Sequence, residues 1–488
     1  MKRYALRTAL ENLAVVGALA LAALLIGNLI AFATSRNRLP PQTRINDLNV
    51  GDMTVDEALL RLNTIMRTPI TVRLVDDAET LLPTAIQFQV NEVALRVQLQ
   101  ALVERHSRMD AFPAFALRRN AEPIVIEPRY QYDAAQLEAL VRALAERIDR
   151  PPRPMSADLD ANVLRPGEDG LTLDQAAASA AILAAFASAQ QRTVDLPIYS
   201  VPAAMPPTAW LQSPLEQRLS AFFSTPSRLA AVFVKDLRTG EEFSLNADVA
   251  LSAQGWLRIA LALYAYHALP YPLSAETAAQ VRALLAQDDA DAERALLTAL
   301  GEGDPQRALL AFNRWLAQIG LRNTFLAALP DDAAPMFTAI TPANARGDVS
   351  ANPSPRAQST AAEVGLLLEM IQQCAENQGP LRLLFEDSLE PSACAEVMTA
   401  LARTPASGLL AQGNVPVFGR TTWDENNHGD AALARAGEHP WVMVVLLHDK
   451  APLDGRESAT LIGDASRLCH AAFLGQLPAL ALPPELPR

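Results

Sequence analysis

The chain has 488 residues, half of them apolar, and carries a formal charge of −13 at neutral pH. That length calls for two or three domains, and the apolar half is enough to bury sizeable cores. The acidic balance excludes a nucleic-acid binder, which needs a basic surface to displace counterions, and docking of the folded part on anionic lipid.

The first element is Leu13 to Ala33, "LAVVGALALAALLIGNLIAFA", which holds no charge and one amide, Asn28. At about 1.5 Å per residue it spans a hydrocarbon core of roughly 30 Å. Lys2, Arg3 and Arg7 precede it, which favours an inside N-terminus. Ala31-Phe32-Ala33 also offers a signal-peptidase site, but the apolar run is longer than a typical signal core, so an uncleaved anchor is expected. Either reading puts residues 35–488 outside the cytoplasm, on a single-pass membrane protein with a short tail at 1–12 and its anchor at 13–34.

From residue 35 to 201 helix-like and strand-like pieces alternate. "TVDEALLRLNTIM" has Thr54 as N-cap and helical apolar spacing, "PITVRLV" alternates as a strand, and "VNEVALRVQLQALVERH" is helical again. "EPIVIEPRYQYD" reads as a strand and "DAAQLEALVRALAERIDRPP" as a helix stopped at Pro151. "LTLDQAAASAAILAAFASA" reads as a helix and "TVDLPIYSV" as a strand, so the segment is either a weak repeat or an α+β domain of two helix–strand layers. "PPQTRINDLNVGDMTVDEALLRLN", "YDAAQLEALVRALAERIDRPPRPMSADL" and "RPGEDGLTLDQAAA" resemble the peptidoglycan-binding-type domain of VanW-like and YoaR-like surface proteins. The resemblance implies a cell-wall ligand; the alternative is a spacer that lifts the next domain off the membrane.

Residues 202–209, around "PAAMPP", read as a stiff linker, and 210–488 as a second α+β domain. "SPLEQRLSAFFST" is a capped helix, and Leu229 to Leu245 a hairpin turning at Arg238-Thr239-Gly240. A helical middle follows to about Leu401. "VPVFGRTTW", "GDAALARAG" and "WVMVVLLHD" are strands and "ESATLIGDASRLCHAAF" a closing helix. This order predicts an antiparallel sheet completed by both ends of the domain, with a helical lobe inserted. Cys374 and Cys394 flank about 20 residues, and a bridge there, which suits an oxidising compartment, would add roughly 3 kcal/mol. Cys469 is left as a buried thiol.

"FVKDLRTGEEFSLNADVALSA", "FNRWLAQIGLRNTF", "TPANARGDVSANPSPRAQST", "EVGLLLEMIQQCAENQGPL" and "HGDAALARAGEHPWVMVVLL" resemble segments of the class A β-lactamase and penicillin-binding-protein fold, over residues 210–475. The resemblance implies a serine hydrolase whose nucleophile and lysine stand as Ser-x-x-Lys after the first hairpin. Here the register gives Gly255-Trp256-Leu257-Arg258. Glycine offers no side-chain oxygen, and a guanidinium stays protonated and cannot act as a base. Ser252 is the displaced alternative nucleophile, but its own i+3 partner is Gly255. The family's Ser-Asp-Asn aligns with Asp288-Asp289-Ala290, which also reads as a polar loop or cap. Its Lys-Thr-Gly aligns with Arg420-Thr421-Thr422, where Arg420 and Thr421 remain able to bind an anionic ligand while Thr422 crowds the strand. The deacylating glutamate has no counterpart between Leu329 and Thr360, where Asp331, Asp332 and Asp348 fall in no assignable pattern. Trp256 reads as helix packing or as a plug in the old nucleophile pocket. The dispersed histidines form no ligand pair, and no phosphate-cradling or dinucleotide motif is present, so neither metal nor cofactor is expected. The expected function is a catalytically inactive, membrane-anchored cell-wall binding or scaffolding protein. The alternative is a serine hydrolase acting on β-lactams or D-Ala-D-Ala peptides through Ser252.

Overall fold

The computed structural model describes residues 2–75, 77–108, 112–116, 123–287, 289–330, 332–349, 351–403, 408–437 and 439–484. The chain divides into two compact units, residues 1–153 with 169–202, and residues 154–168 with 203–488.

In the first unit a helix runs from Lys2 to Ser35, and its 23 residues Leu13–Ser35 are long and apolar enough to cross a membrane. Two three-stranded sheets follow one plan. Thr43–Ile45 pairs antiparallel with the strand after it, Leu48–Asn49, and parallel with the distant Ile124–Ile126. Ile70–Arg73 likewise pairs antiparallel with Ala78–Leu81 and parallel with Thr193–Asp195. Thr54 caps the Val55–Met66 helix in a full capping box with Glu57, as its sequence pattern requires. Leu59, Leu62, Val141, Ile182 and Phe186 fill the core between helices and strands. Two expected strands are each split by a proline that cannot donate to a ladder. Pro128 separates Ile124–Ile126 from Tyr130–Gln131, and Pro197 separates Thr193–Asp195 from Ile198–Val201. "LTL", expected as helix, is the Gly170–Leu173 strand; Asp174 caps the helix only from Gln175.

The second unit is built on a six-stranded antiparallel sheet. Its order is Glu242–Leu245, Arg228–Asp236, His439–Asp449, Asn427–Ala436, Val417–Trp423 and Ala402–Arg403. Both chain ends of the unit therefore meet in the sheet, as the strand order in the sequence predicts. Side chains alternate between the two faces. Val442, Val444 and Leu446 pack on one side with the Gln254–Ala268 and Ala361–Ala375 helices. Met443, Val445 and Leu447 pack on the other with the Pro207–Phe223 and Gly455–Leu474 helices. Burial on both faces explains why "WVMVVLL" is continuously apolar rather than alternating. The Pro207–Phe223 helix starts six residues before the expected cap at Ser213, and three of the expected linker residues form its first turn. Pro207 suits that turn because its missing N–H is unpaired there anyway. Pro214 is internal, and Trp210, Leu211 and Leu215 bury around it. Cys374 and Cys394 form a disulfide, and Cys469 is a free, buried thiol whose pKa burial pushes far up.

Candidate functional site

The Gln254–Ala268 helix is buried nearly all round, with every residue from Trp256 to Tyr266 inside, so its N-terminal turn is held tightly against the Val417–Trp423 strand. Gly255 sits at the contact. A Cβ built there would lie 2.9 Å from Thr422 Oγ1 and 3.0 Å from both the Thr421 carbonyl oxygen and Thr422 Cβ. Thr422 therefore closes the space that a side chain at 255 would need. Trp256 fills the next space. Its indole N–H donates to the Arg420 carbonyl at 2.9 Å, and its ring passes over Gly429, where a Cβ would come within 2.8 Å of it. The glycine in the neighbouring strand is thus what admits the plug.

One turn further, Arg258 Nε donates to Glu293 Oε2 at 2.8 Å, in a pair of which the carboxylate is 1% exposed. Burial pushes the Glu293 carboxyl above its ordinary range, against the opposing pull of Arg258, Arg420 and Arg356. Arg420 is also 1% exposed, and its guanidinium donates to the Leu285 carbonyl at the end of the Ala275–Gln287 helix. The positive charges at 258 and 420 are thus turned inward, and both pull on the Glu293 carboxyl. No sequence signal singles out that carboxylate, which lies in a stretch that reads as a polar loop or helix cap.

The remaining motif positions separate. Thr421 lies on the opposite face of its strand from Arg420, and its hydroxyl is 3.4 Å from Asp430 Oδ1, so the two do not form a common anion site. Asp289 caps the Ala290–Leu300 helix, its Oδ1 accepting from Asp291 N at 2.9 Å and Ala292 N at 3.1 Å, while Ala290 opens that helix. Asp288 and Asp331 lie outside the described residues. Asp332 accepts from Leu329 N at 3.1 Å, and Asp348 is paired with Arg346 at 2.7 Å. His428 is buried within a strand, bonded to Ser458 at 2.6 Å and packed edge-on against Trp423, which is a structural role.

Ser252 stands apart, in the short strand Leu251–Ser252 that pairs with Ala357–Ser359. Its Oγ accepts from Ser354 N at 2.9 Å. It opens on a polar cleft of about 700 Å³ that also receives Asp424, Asn427, His448 and Lys450. No sequence signal marks this cleft, because its lining comes from four separate segments.

Residues 306–473 match the family model described as the β-lactamase enzyme family. The match includes Arg420-Thr421-Thr422 and stops short of Gly255 and Arg258. No curated protein matches. Among solved structures, a β-lactamase from Sphaerobacter thermophilus is 16% identical, covering 55% of this chain and 98% of that one with a TM-score of 0.40. An ancestral class A β-lactamase is 19% identical, covering 53% and 100% with a TM-score of 0.40. The protein PBP-A is 14% identical, covering 56% and 98% with a TM-score of 0.41. With the family match and the sheet order above, the second unit has a β-lactamase-like fold.

Proposed function

We propose that this chain is a membrane-anchored, extracytoplasmic β-lactamase-like protein that performs no acyl transfer and serves the cell envelope as a binding or scaffolding protein. In this reading residues 35–153 with 169–201 form a peptidoglycan-binding-type domain. One observation carries the proposal. The position that should hold the nucleophile is a glycine pressed against Thr422, and the residue that should take its proton is an arginine paired with a buried glutamate. Acyl transfer in this fold needs an attacking oxygen or sulfur at position 255 and a group at 258 able to accept its proton; glycine offers no side-chain oxygen, and a paired guanidinium is no base. The apolar N-terminal helix supports the anchor, and the Cys374–Cys394 bridge supports an oxidising compartment.

The test is intact-mass analysis of the full chain after incubation with benzylpenicillin. No adduct is expected. A stoichiometric adduct would overturn the inactive reading. Ser252 shares a polar cleft with His448, and this favours one second reading, a hydrolase working through Ser252. Mapping of an adduct to Ser252 would establish it.

A further inference from the structure

The cleft beside the filled crevice is built differently from the crevice itself. It lies where Ser252 and the ends of the Asn427–Ala436 and His439–Asp449 strands meet, and among the described residues its lining includes no apolar side chain. His448 sets its chemistry. Strand alternation places it on the face of Val442, Val444 and Leu446, towards the Gln254–Ala268 helix. Asn427 donates from Nδ2 to both oxygens of Asp424, at 2.9 and 3.0 Å, so its Oδ1 is the atom that faces His448 Nδ1 at 3.0 Å. An amide oxygen accepts, so Nδ1 carries the ring proton and Nε2 carries the lone pair. Burial, aided by Lys450, lowers the ring's affinity for a second proton, against the pull of Asp424, Asp449 and the Asn426 backbone, so the neutral imidazole is favoured. Nε2 is buried and has no hydrogen-bond partner. A buried acceptor in that state calls for a donor from outside the protein.

Charge and size narrow the donor. The carboxylates of Asp424 and Glu425 outnumber the single ammonium of Lys450, which disfavours an anion such as the carboxylate of a β-lactam or a peptide. The polar lining disfavours lipids and flat aromatics. A sugar hydroxyl both donates and accepts, which matches a lining in which His448 Nε2 needs a donor and the Ser252 hydroxyl still has its hydrogen to give. A volume of about 700 Å³ lies within the range of small-ligand sites.

We infer that this cleft binds an uncharged, polyhydroxylated ligand, a saccharide, with a hydroxyl or acetamido N–H donating to His448 Nε2 and the Ser252 hydroxyl donating back. The inference deepens the binding-protein reading above and rests on it, in that the sugar is held and not turned over.

The experiment is ligand-observed saturation-transfer NMR on the full chain, in a detergent without a sugar headgroup. Triacetylchitotriose and maltotriose serve as probes, and Ser252→Ala and His448→Gln as variants. Transfer to at least one sugar is expected, with its affinity falling about fivefold or more in Ser252→Ala. A response to chitotriose alone identifies acetamido sugars as the source, and a response to maltotriose identifies plain hexoses. In histidine-labelled protein, the His448 Nε2 resonance is expected to move on sugar addition, a readout that does not need the His448 variant to fold. Absence of transfer to both sugars overturns the inference, as does transfer unchanged in Ser252→Ala with an unmoved His448 resonance. Either result, without a penicillin adduct, leaves the inactive reading standing. A penicillin adduct would remove that reading while the sugar data still judged the cleft.

Discussion

Position 255 joins chemistry and packing in one residue. A glycine there presents no side-chain oxygen and lets the helix close on Thr422, so a serine would have to displace its neighbours to fit. Gly255→Ser is expected to destabilise the protein by about 1–3 kcal/mol through overpacking. Thr422→Gly in the same chain should relieve the clash, giving a favourable coupling of about 1 kcal/mol in a double-mutant cycle read by urea denaturation. A Gly255→Ser variant as stable as the parent would show that the contact is slack. The neighbouring pair behaves in the opposite sense. Glu293→Leu removes the carboxylate that accepts from Arg258 Nε and should cost about 3–5 kcal/mol, whereas Arg258→Met/Glu293→Leu, which removes both charges of the pair, should cost less. Equal costs for the single and double variants would show that Arg258 and Glu293 are not a coupled pair. Gly255 and Arg258 were legible in the sequence because a resemblance supplies their register. Glu293 was not, because a charged residue on a helix normally faces water and only the packed lobe turns this one inward.

Elements were legible where local signals agreed and illegible where tertiary packing overrode them. The capping box at Thr54 and the hairpin around Gly240 needed no long-range information. The Pro207–Phe223 helix did, since Pro214 reads as a helix start until Trp210 and Leu211 are seen buried against the sheet. Two elements carry predictions of their own. The Cys374–Cys394 bridge ties the Ala361–Ala375 helix to Pro391–Ala400 across 20 residues. Replacing both cysteines with alanine should cost about 3 kcal/mol, and the parent, unlike the variant, should lose stability in reductant. The Asn427–Ala436 strand carries His428 inward, where burial pushes its pKa down to about 4. The unfolded chain takes up that proton near pH 6.5, so between about 4 and 6.5 it binds more protons than the native state. Stability from this group is then complete above pH 6.5 and falls by about 3 kcal/mol as the pH drops to 4. A His428→Asn variant should have a shallower acid limb in thermal melts against pH. An unchanged limb would mean that other buried groups dominate.

At the scale of the molecule, chain order and physical unit part company. Residues 154–168 lie within the sequence of the first unit yet belong to the second. Their hairpin, Ser156–Asp158 with Val163–Arg165, sets Met155, Leu159 and Leu164 against the core that holds Trp210 and Phe473. Met155 O accepts from the Trp210 indole at 2.5 Å, and Arg467, 4% exposed, donates to Leu159 O at 3.0 Å and Asn162 Oδ1 at 2.6 Å. A reading by sequence assigns this hairpin to the domain around it, because no local signal reports which core it will join. The consequence is that a fragment beginning at residue 203 would lack part of its own core and leave a buried guanidinium short of acceptors, a cost of about 1–3 kcal/mol for the polar groups alone. Such a fragment should melt about 5–10 °C below the second-unit transition of the full chain. A synthetic peptide of residues 154–168, added in excess, should raise its melting temperature by mass action. A peptide with Leu159 and Leu164 changed to serine should not. If the fragment melts with the parent and ignores both peptides, the hairpin is an ornament of the second unit and not a part of its core.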